Sequence, residues 1–254
     1  MKKLLYWPYQ VYVWLVYLPL VAVLTLVFST LTVITAVLVN DRVASRVFAV
    51  TWARLVAWLT PISVTVEGRQ NADRKNTYVV VCNHQSQYDI PVVYGWLDLD
   101  LKWVMKQELR KIPGIGIGCE KAGHIFVNRR NPREARKAVM QALDRLGDGV
   151  GILFFAEGTR SDDGRLLPFK KGAFRLAIEQ QLPVLPITIT GTRDVLPART
   201  LQLFPGRCTM HIHPPIDTTE MSLQDLDALL SETRAAIASR LTAPDRPADA
   251  AAPA

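Results

Sequence analysis

The chain has 254 residues, 49 % of them hydrophobic, with 30 Lys or Arg against 23 Asp or Glu and a formal net charge of +7. It is too apolar for a disordered chain and long enough for one domain with a full core plus an attached segment. Three scattered cysteines exclude a disulfide-stapled secreted scaffold and fit a reducing compartment.

After Lys2 and Lys3, no charged residue occurs from Leu4 to Asn40, a stretch rich in Val, Leu, Trp and Tyr. It exceeds the ~20 residues that span a bilayer. At about 1.5 Å per residue it is too long for one straight crossing, and Pro19 offers a place to bend. It also exceeds a signal-peptide core and has no convincing small-x-small cleavage site, so it is expected to stay in the membrane. Next, Arg42, Arg46 and Arg54 alternate with Val43, Val47, Phe48, Val50, Trp52, Leu55, Val56 and Trp58, which suits the membrane interface. Residues 1–60 are therefore expected to form a membrane-embedded helical anchor, either one span plus an interfacial helix or a hairpin in one leaflet. The flanking basic residues give no charge asymmetry that fixes the topology.

Strand-like runs follow at Ser63 to Glu67, Thr77 to Cys82, Leu101 to Met105, His124 to Val127, Gly151 to Phe155, Val184 to Thr190 and Cys208 to His213. Helical patterns interleave with them. Asn131-Pro132 opens one that runs from Arg133 to Leu146, with Ala135, Val139, Leu143 and Leu146 in one stripe. Gly172 to Gln181 and Ser222 to Leu241 are the next two, the latter opened by the capping-box pattern Ser222-x-x-Asp225. The pattern predicts an α/β domain over residues 61–242, with a mixed sheet flanked by helices. Residues 243–254, rich in Ala, Pro and Asp, are expected to be a disordered tail.

The chemistry begins at Asn83-His84-Gln85-Ser86-Gln87-Tyr88-Asp89, after the apolar run Tyr78 to Cys82. A neutral imidazole held by a carboxylate can take a proton from an alcohol and later return it. His84 and Asp89 supply that pair if Asp89 lies early in a helix that returns it to the ring. A lone histidine at a strand end is more often merely solvated, and it is the downstream motifs that add weight. Gly123-His124-Ile125-Phe126-Val127-Asn128-Arg129 and Phe154-Phe155-Ala156-Glu157-Gly158-Thr159-Arg160 each run an apolar strand into a turn with an arginine. Glycine lets backbone N–H groups approach an oxyanion, and guanidinium grips phosphate bidentately. Leu182-Pro183-Val184-Leu185-Pro186-Ile187 is a proline-punctuated run whose prolines cap a pocket rather than do chemistry.

In this order, NHQSQYD, GHIFVNR, FFAEGTR and LPVLPI resemble the four sequence blocks of the glycerolipid acyltransferase superfamily, most closely its 1-acylglycerol-3-phosphate O-acyltransferase (lysophosphatidic acid acyltransferase) branch. The resemblance runs from about Val79 to about Thr192, and Phe169-Lys170-Lys171-Gly172-Ala173-Phe174 is similar too. It implies transfer of a fatty acyl group from acyl-CoA or acyl carrier protein to the sn-2 hydroxyl of lysophosphatidic acid, giving phosphatidic acid, with no further cofactor. By the resemblance Arg129, Glu157, Gly158, Thr159 and Arg160 bind the glycerol phosphate. Glu157, which would repel phosphate, is read as an orienter of the arginines or a hydroxyl acceptor. Lys106 is a further phosphate candidate, its plainer reading being a snorkelling surface lysine. The resemblance also favours a hairpin-like anchor in the inner or cytoplasmic membrane, with the active site facing the cytoplasm, where acyl thioesters are.

Other readings of the same residues are weaker. Cys82 reads as a buried structural thiol and Ser86 equally as a helix cap or a nucleophile, while direct transfer needs neither. Cys208-x2-His211-x-His213 alternates with Met210 and Ile212 as an ordinary strand does, so no metal is expected. Residues 101–175 hold 16 Lys or Arg against 8 Asp or Glu, a net of +8, while the remainder has 14 against 15. That basic segment suits lipid headgroups, the phosphates of CoA or an acidic carrier protein, and no nucleic-acid motif accompanies it. An acyltransferase for another lysophospholipid or lyso-aminolipid remains open, as does a catalytically silent lipid-binding adaptor. A Ser-His-Asp hydrolase lacks the G-x-S-x-G elbow.

Overall fold

A computed structural model describes residues 3–144 and 147–241. The expected end of one helix at Leu146 and the tail over residues 243–254 lie outside the described residues.

The apolar leader folds as helix α1, Lys3–Tyr12, a π turn at Val13–Tyr17, and helix α2, Leu18–Leu38. Leu5–Leu38 is one 34-residue helical run that contains an 18-residue stretch of mean hydropathy 2.4, long and apolar enough to cross a membrane. The chain reverses at Val39-Asn40, where the Asn40 side chain accepts a hydrogen bond from Val43 N–H at 2.8 Å and caps the returning helix. That helix comprises α3, Asp41–Ala44, a π turn at Ser45–Ala49, and α4, Val50–Leu59. The two arms form a hairpin, tied across by Trp52 Nε1 donating to Thr25 Oγ1 at 3.1 Å.

The hairpin does not project from the domain. Gln10 donates to the Leu203 carbonyl at 2.9 Å, Tyr17 and Tyr88 share a hydroxyl hydrogen bond, and Ser29 donates to the Gly114 carbonyl. These contacts are spread along the leader, while Trp7, Leu15 and Leu38 are more than 70 % exposed on its outer side. An ion cluster, buried at Lys102 and Asp100 and partly exposed at Asp41 and Arg42, secures the turn. Lys102 Nζ lies 2.9 Å from Asp41 and 3.5 Å from Asp100, and Arg42 lies 3.3 Å from Asp100. Beside it, burial lowers the His124 imidazole to about 3, keeping it neutral.

The domain is a seven-stranded sheet: β1 (Ile62–Glu67), β2 (Tyr78–Cys82), β3 (Asp100–Lys106), β4 (Ile125–Val127), β5 (Val150–Phe155), β6 (Val184–Thr190) and β7 (Gly206–Ile212). All the expected strands form, in the order β1-β7-β6-β2-β5-β3-β4. Only β6 and β7 pair antiparallel, so the sheet is mixed. Pro186 fits inside β6 because its carbonyl edge, which accepts from His213 N–H at 3.0 Å, faces the place where β7 ends. The prolines thus shape the entry and interior of a buried strand.

Central strands covered on both faces read as continuous apolar runs, and β2 is buried at every position. On one face Val80, Cys82, Leu101, Trp103 and Leu153 pack with Val13, Tyr17, Ala53 and Val56 of the hairpin and with helix α5, Asp89–Trp96. On the other, Val79, Val81 and Ile152 pack against helices α7 (Pro132–Leu143), α8 (Gly172–Gln180) and α10 (Leu226–Ser239). Two further helices, α6 (Ile115–Lys121) and α9 (Thr192–Val195), have no counterpart in the sequence patterns. Strands β2, β3, β4, β5 and β6 run parallel, so their carboxyl ends share one edge, where ligands bind in open α/β sheets.

Candidate active site

His84 lies two residues past β2 and Asp89 opens α5. The backbone between them turns tightly enough to bring Asp89 Oδ2 to 2.7 Å from His84 Nδ1. The same oxygen accepts from Gln85 N–H at 2.7 Å and Ser86 N–H at 2.8 Å. Asp89 Oδ1 accepts from Thr192 Oγ1 at 2.5 Å. Asp89 and Thr192 are fully buried, so the carboxylate is desolvated but satisfied at both oxygens. Nδ1 engaged by the carboxylate leaves Nε2 as the ring's other nitrogen to meet a proton.

Thr192 stands 103 residues from Asp89 and is delivered by β6. Asn83 clamps the ends of β2 and β6 together, donating to the Ile189 carbonyl at 2.9 Å and accepting from Ile189 N–H at 2.8 Å. The turn then passes through Gly191 at φ 81°, where a Cβ would stand 2.1 Å from the Arg207 carbonyl oxygen. Only glycine allows that approach.

The His84 ring is stacked on Phe155, with centroids 3.8 Å apart and planes at 10°, and Trp103 meets the same phenyl ring edge-on at 5.5 Å. The imidazole is therefore held on three sides: by its main chain, by Asp89 and by an aromatic wall. Phe155, last residue of β5, is a contributor that its place in an apolar run did not single out.

Glu157 does not orient the arginines. It is 3 % exposed, and its two oxygens accept from His84 N–H at 2.6 Å and Leu167 N–H at 2.8 Å. It ties the histidine's own backbone to the 161–168 loop. Burial pushes its carboxyl up to about 7 against the pull of those two donors. Arg129 instead finds the Gly158 carbonyl at 2.7 Å. Gly158 has φ 74°, and Thr159 is exposed beside it. Arg160 is half-buried and, among the described residues, carries no hydrogen bond or ion pair, so its guanidinium is free to receive an anion. Lys106 ends β3 opposite Val127 and pairs with Glu108 at 3.3 Å, both half exposed. Lys106, Arg129 and Arg160 thus lie at the same sheet edge as His84.

The remaining candidates have other partners. Ser86 Oγ donates to the Leu196 carbonyl at 2.7 Å and accepts from Tyr88 N–H at 3.0 Å, a structural use that occupies it as a nucleophile. Cys82 is fully buried, and burial raises its thiol well above the ordinary value. His211 bonds Glu67 at 2.9 Å and His213 bonds Thr188 at 2.8 Å.

The sheet edge thus brings together an imidazole held by a buried carboxylate and, among the described residues, one guanidinium without a partner, Arg160. A family model described as Acyltransferase matches residues 63–190, from β1 through β6. The chain belongs to the acyltransferase family. The chain is 33 % identical over 180 residues to the 1-acyl-sn-glycerol-3-phosphate acyltransferase alpha of Ovis aries. It is 37 % identical over 180 residues to a 1-acyl-sn-glycerol-3-phosphate acyltransferase of Chlamydomonas reinhardtii. Each match takes in 70 % of this chain, but 63 % and 53 % of those relatives' lengths. The fold is similar to the crystal structure of the 1-acyl-sn-glycerophosphate (LPA) acyltransferase PlsC from Thermotoga maritima, at TM-score 0.73 and 28 % identity, over 91 % of this chain and 94 % of that one. Thr192 lies just beyond the segment that the acyltransferase model matches.

Proposed function

We propose that this acyltransferase moves a fatty acyl group from a thioester, acyl-CoA or acyl carrier protein, to the sn-2 hydroxyl of lysophosphatidic acid, forming phosphatidic acid. The observation that carries the reading is the His84–Asp89 pair at 2.7 Å, its carboxylate buried and saturated with donors. His84 Nε2 takes the acceptor's hydroxyl proton as the oxygen attacks the thioester carbonyl carbon. Collapse of the tetrahedral adduct breaks the carbon–sulfur bond, and the departing thiolate takes the proton from the imidazolium. Asp89 holds the tautomer and stabilises the imidazolium between those steps. The donor enters as a substrate, and no cofactor is called for. Arg160, with Arg129 and Lys106 on the same edge, receives the acceptor phosphate. The names of the relatives in Ovis aries and Thermotoga maritima support that choice of acceptor over other lysolipids.

The same reading places the protein on one leaflet of a membrane. A 34-residue apolar run packed along the domain cannot cross a bilayer without carrying polar protein into the hydrocarbon, so the hairpin lies in the leaflet with its outer side in lipid. Acyl thioesters put the active site on the cytoplasmic face.

The test is acyl transfer by detergent-solubilised protein from labelled acyl-CoA or acyl carrier protein. The acceptor panel holds lysophosphatidic acid, glycerol 3-phosphate, other lysophospholipids and a lyso-aminolipid, beside His84→Ala. Transfer to lysophosphatidic acid should dominate and fall by about 10²–10⁴-fold in the variant, with membrane association intact. Equal rates for His84→Ala and wild type would remove the base assignment, and preference for another acceptor would replace the substrate.

A further inference from the structure

The sheet gives the molecule two unlike sides. The hairpin covers one. On the other, a groove of about 890 Å³ runs between α7 and α8 and reaches the sheet edge at Phe155, the ring under His84. Val127, Val139, Phe154 and Leu176 make its walls apolar. Its rim carries Arg129, Arg136, Lys170, Lys171 and Arg175 against Glu179 and Asp227, five cations to two carboxylates. Arg136 and Arg175 share the single carboxylate of Glu179, at 3.0 and 3.3 Å. Lys170 is exposed and, among the described residues, has no ion partner.

We propose that this groove binds the acyl donor as its phosphopantetheine thioester, the thioester end at Phe155 and the donor's phosphates against Arg136, Lys171 and Arg175. The proposal rests on the acyl-transfer reading and adds the side from which each substrate arrives. Phe155 and Trp103 belong to the hairpin side of the sheet, so the His84 ring above Phe155 meets an acceptor rising from the lipid. A groove on the far side of the sheet is no place for a lipid held in that leaflet. Its basic rim and apolar walls instead match a water-borne polyanion with a thin, largely uncharged arm. The excess of cations decides between them. A lysolipid brings one phosphate, which Arg129 and Arg160 at the edge suffice to hold, whereas the rim farther along carries a second cationic patch, Arg136, Lys170, Lys171 and Arg175 against Glu179 and Asp227, that calls for a further anion. CoA and a carrier protein offer the same phosphopantetheine, and each adds further negative charge beyond it.

The experiment is calorimetric titration of the full-length protein in detergent with CoA and, separately, with holo acyl carrier protein, together with KM for donor and acceptor. Arg136→Gln with Arg175→Gln should weaken binding of one donor or both about tenfold, leaving KM for lysophosphatidic acid within about twofold, since two charge-assisted contacts are lost from the donor alone. Glu179→Gln frees both guanidiniums and should tighten the same donor several-fold. Opposite shifts from the two changes cannot come from a shared loss of folding. Weakening with CoA only, or with the carrier only, identifies the source and supports the site either way. Unchanged donor binding in the double variant, weaker donor binding in Glu179→Gln, no donor binding by the wild type, or a KM rise confined to lysophosphatidic acid overturns it. A wild type that binds a donor yet transfers nothing would remove the reaction proposed above and leave the groove's assignment standing.

Discussion

Replacing Thr192 by valine keeps the volume and removes one hydroxyl. In the wild type Asp89 Oδ2 has three donors, whereas Oδ1 has, among the described residues, Thr192 Oγ1 alone, at 2.5 Å. Both residues are fully buried, so no water replaces the lost donor and Oδ1 is left bare in an apolar pocket. A hydrogen bond to a charged group contributes about 1.5–3 kcal/mol, and an orphaned buried acceptor costs a similar amount. For a domain of this size that corresponds to a melting temperature lower by about 3–12 °C. The catalytic cost is of the same origin: a carboxylate able to rotate holds the imidazole less firmly, and kcat should fall about tenfold while KM for lysophosphatidic acid stays put. Thr192→Ser restores the donor and should recover most of both losses. Thermal melts and steady-state transfer at saturating acceptor measure them. Thr192→Val with wild-type melting and kcat would refute the reasoning; so would a serine variant as impaired as the valine.

Arg160→Ala should raise KM for the phosphate-bearing acceptor roughly 10–100-fold with little change in kcat, as expected for one charge-assisted pair; an unchanged KM would put the phosphate elsewhere. Glu157→Gln can accept only once, so either His84 N–H or Leu167 N–H loses its partner, at about 1–3 kcal/mol. The same variant carries a pH signature. Because burial holds the Glu157 carboxyl at about 7 rather than 4.5, the folded state keeps its proton longer than the unfolded one. The stability this gives is complete below about 4.5 and lost as pH rises to about 7, on the order of 3 kcal/mol. Glutamine does not titrate, so melting of the variant should vary less across that window; identical slopes would show that Glu157 does not ionise there. Lys102→Ala leaves Asp100 buried with Arg42 alone and should cost about 3–5 kcal/mol, read as lost melting temperature, and a variant as stable as wild type would count the cluster as ornament.

The strands were legible because a sheet covered on both faces demands unbroken apolar runs, and Val79-Val80-Val81 or Leu185 to Ile189 leave little else to read. Helix α6 announced nothing: Ile115-Gly116-Ile117-Gly118 has neither helical propensity nor a stripe. Its reason is tertiary, since at Gly118 a Cβ would stand 2.4 Å from Ser29 Oγ, so the small residues are what let the helix reach the leader. The site divides the same way. His84 and Asp89 are close in sequence, and a local turn unites them. Thr192 reaches Asp89 only through the Asn83–Ile189 clamp across two strands, which no spacing reveals. Glu157 was misread for a related cause. Beside Arg160 in the sequence a carboxylate reads as an arginine's partner, but the strand end turns it inward to two amide hydrogens, and burial decided what charge pattern could not.

The packing of the leader along the domain has a consequence for how this protein can exist at all. Val13, Tyr17, Ala53 and Val56 share one apolar cluster with Tyr88, Val92 and Trp103. Cutting the chain before β1 would not liberate a soluble enzyme; it would strip the wall from half the core and leave Tyr88, whose hydroxyl meets Tyr17 and Thr60, facing water. The hairpin and the segment around Tyr88 then share a single folding equilibrium, and a chain that loses the hairpin loses the site beside it as well.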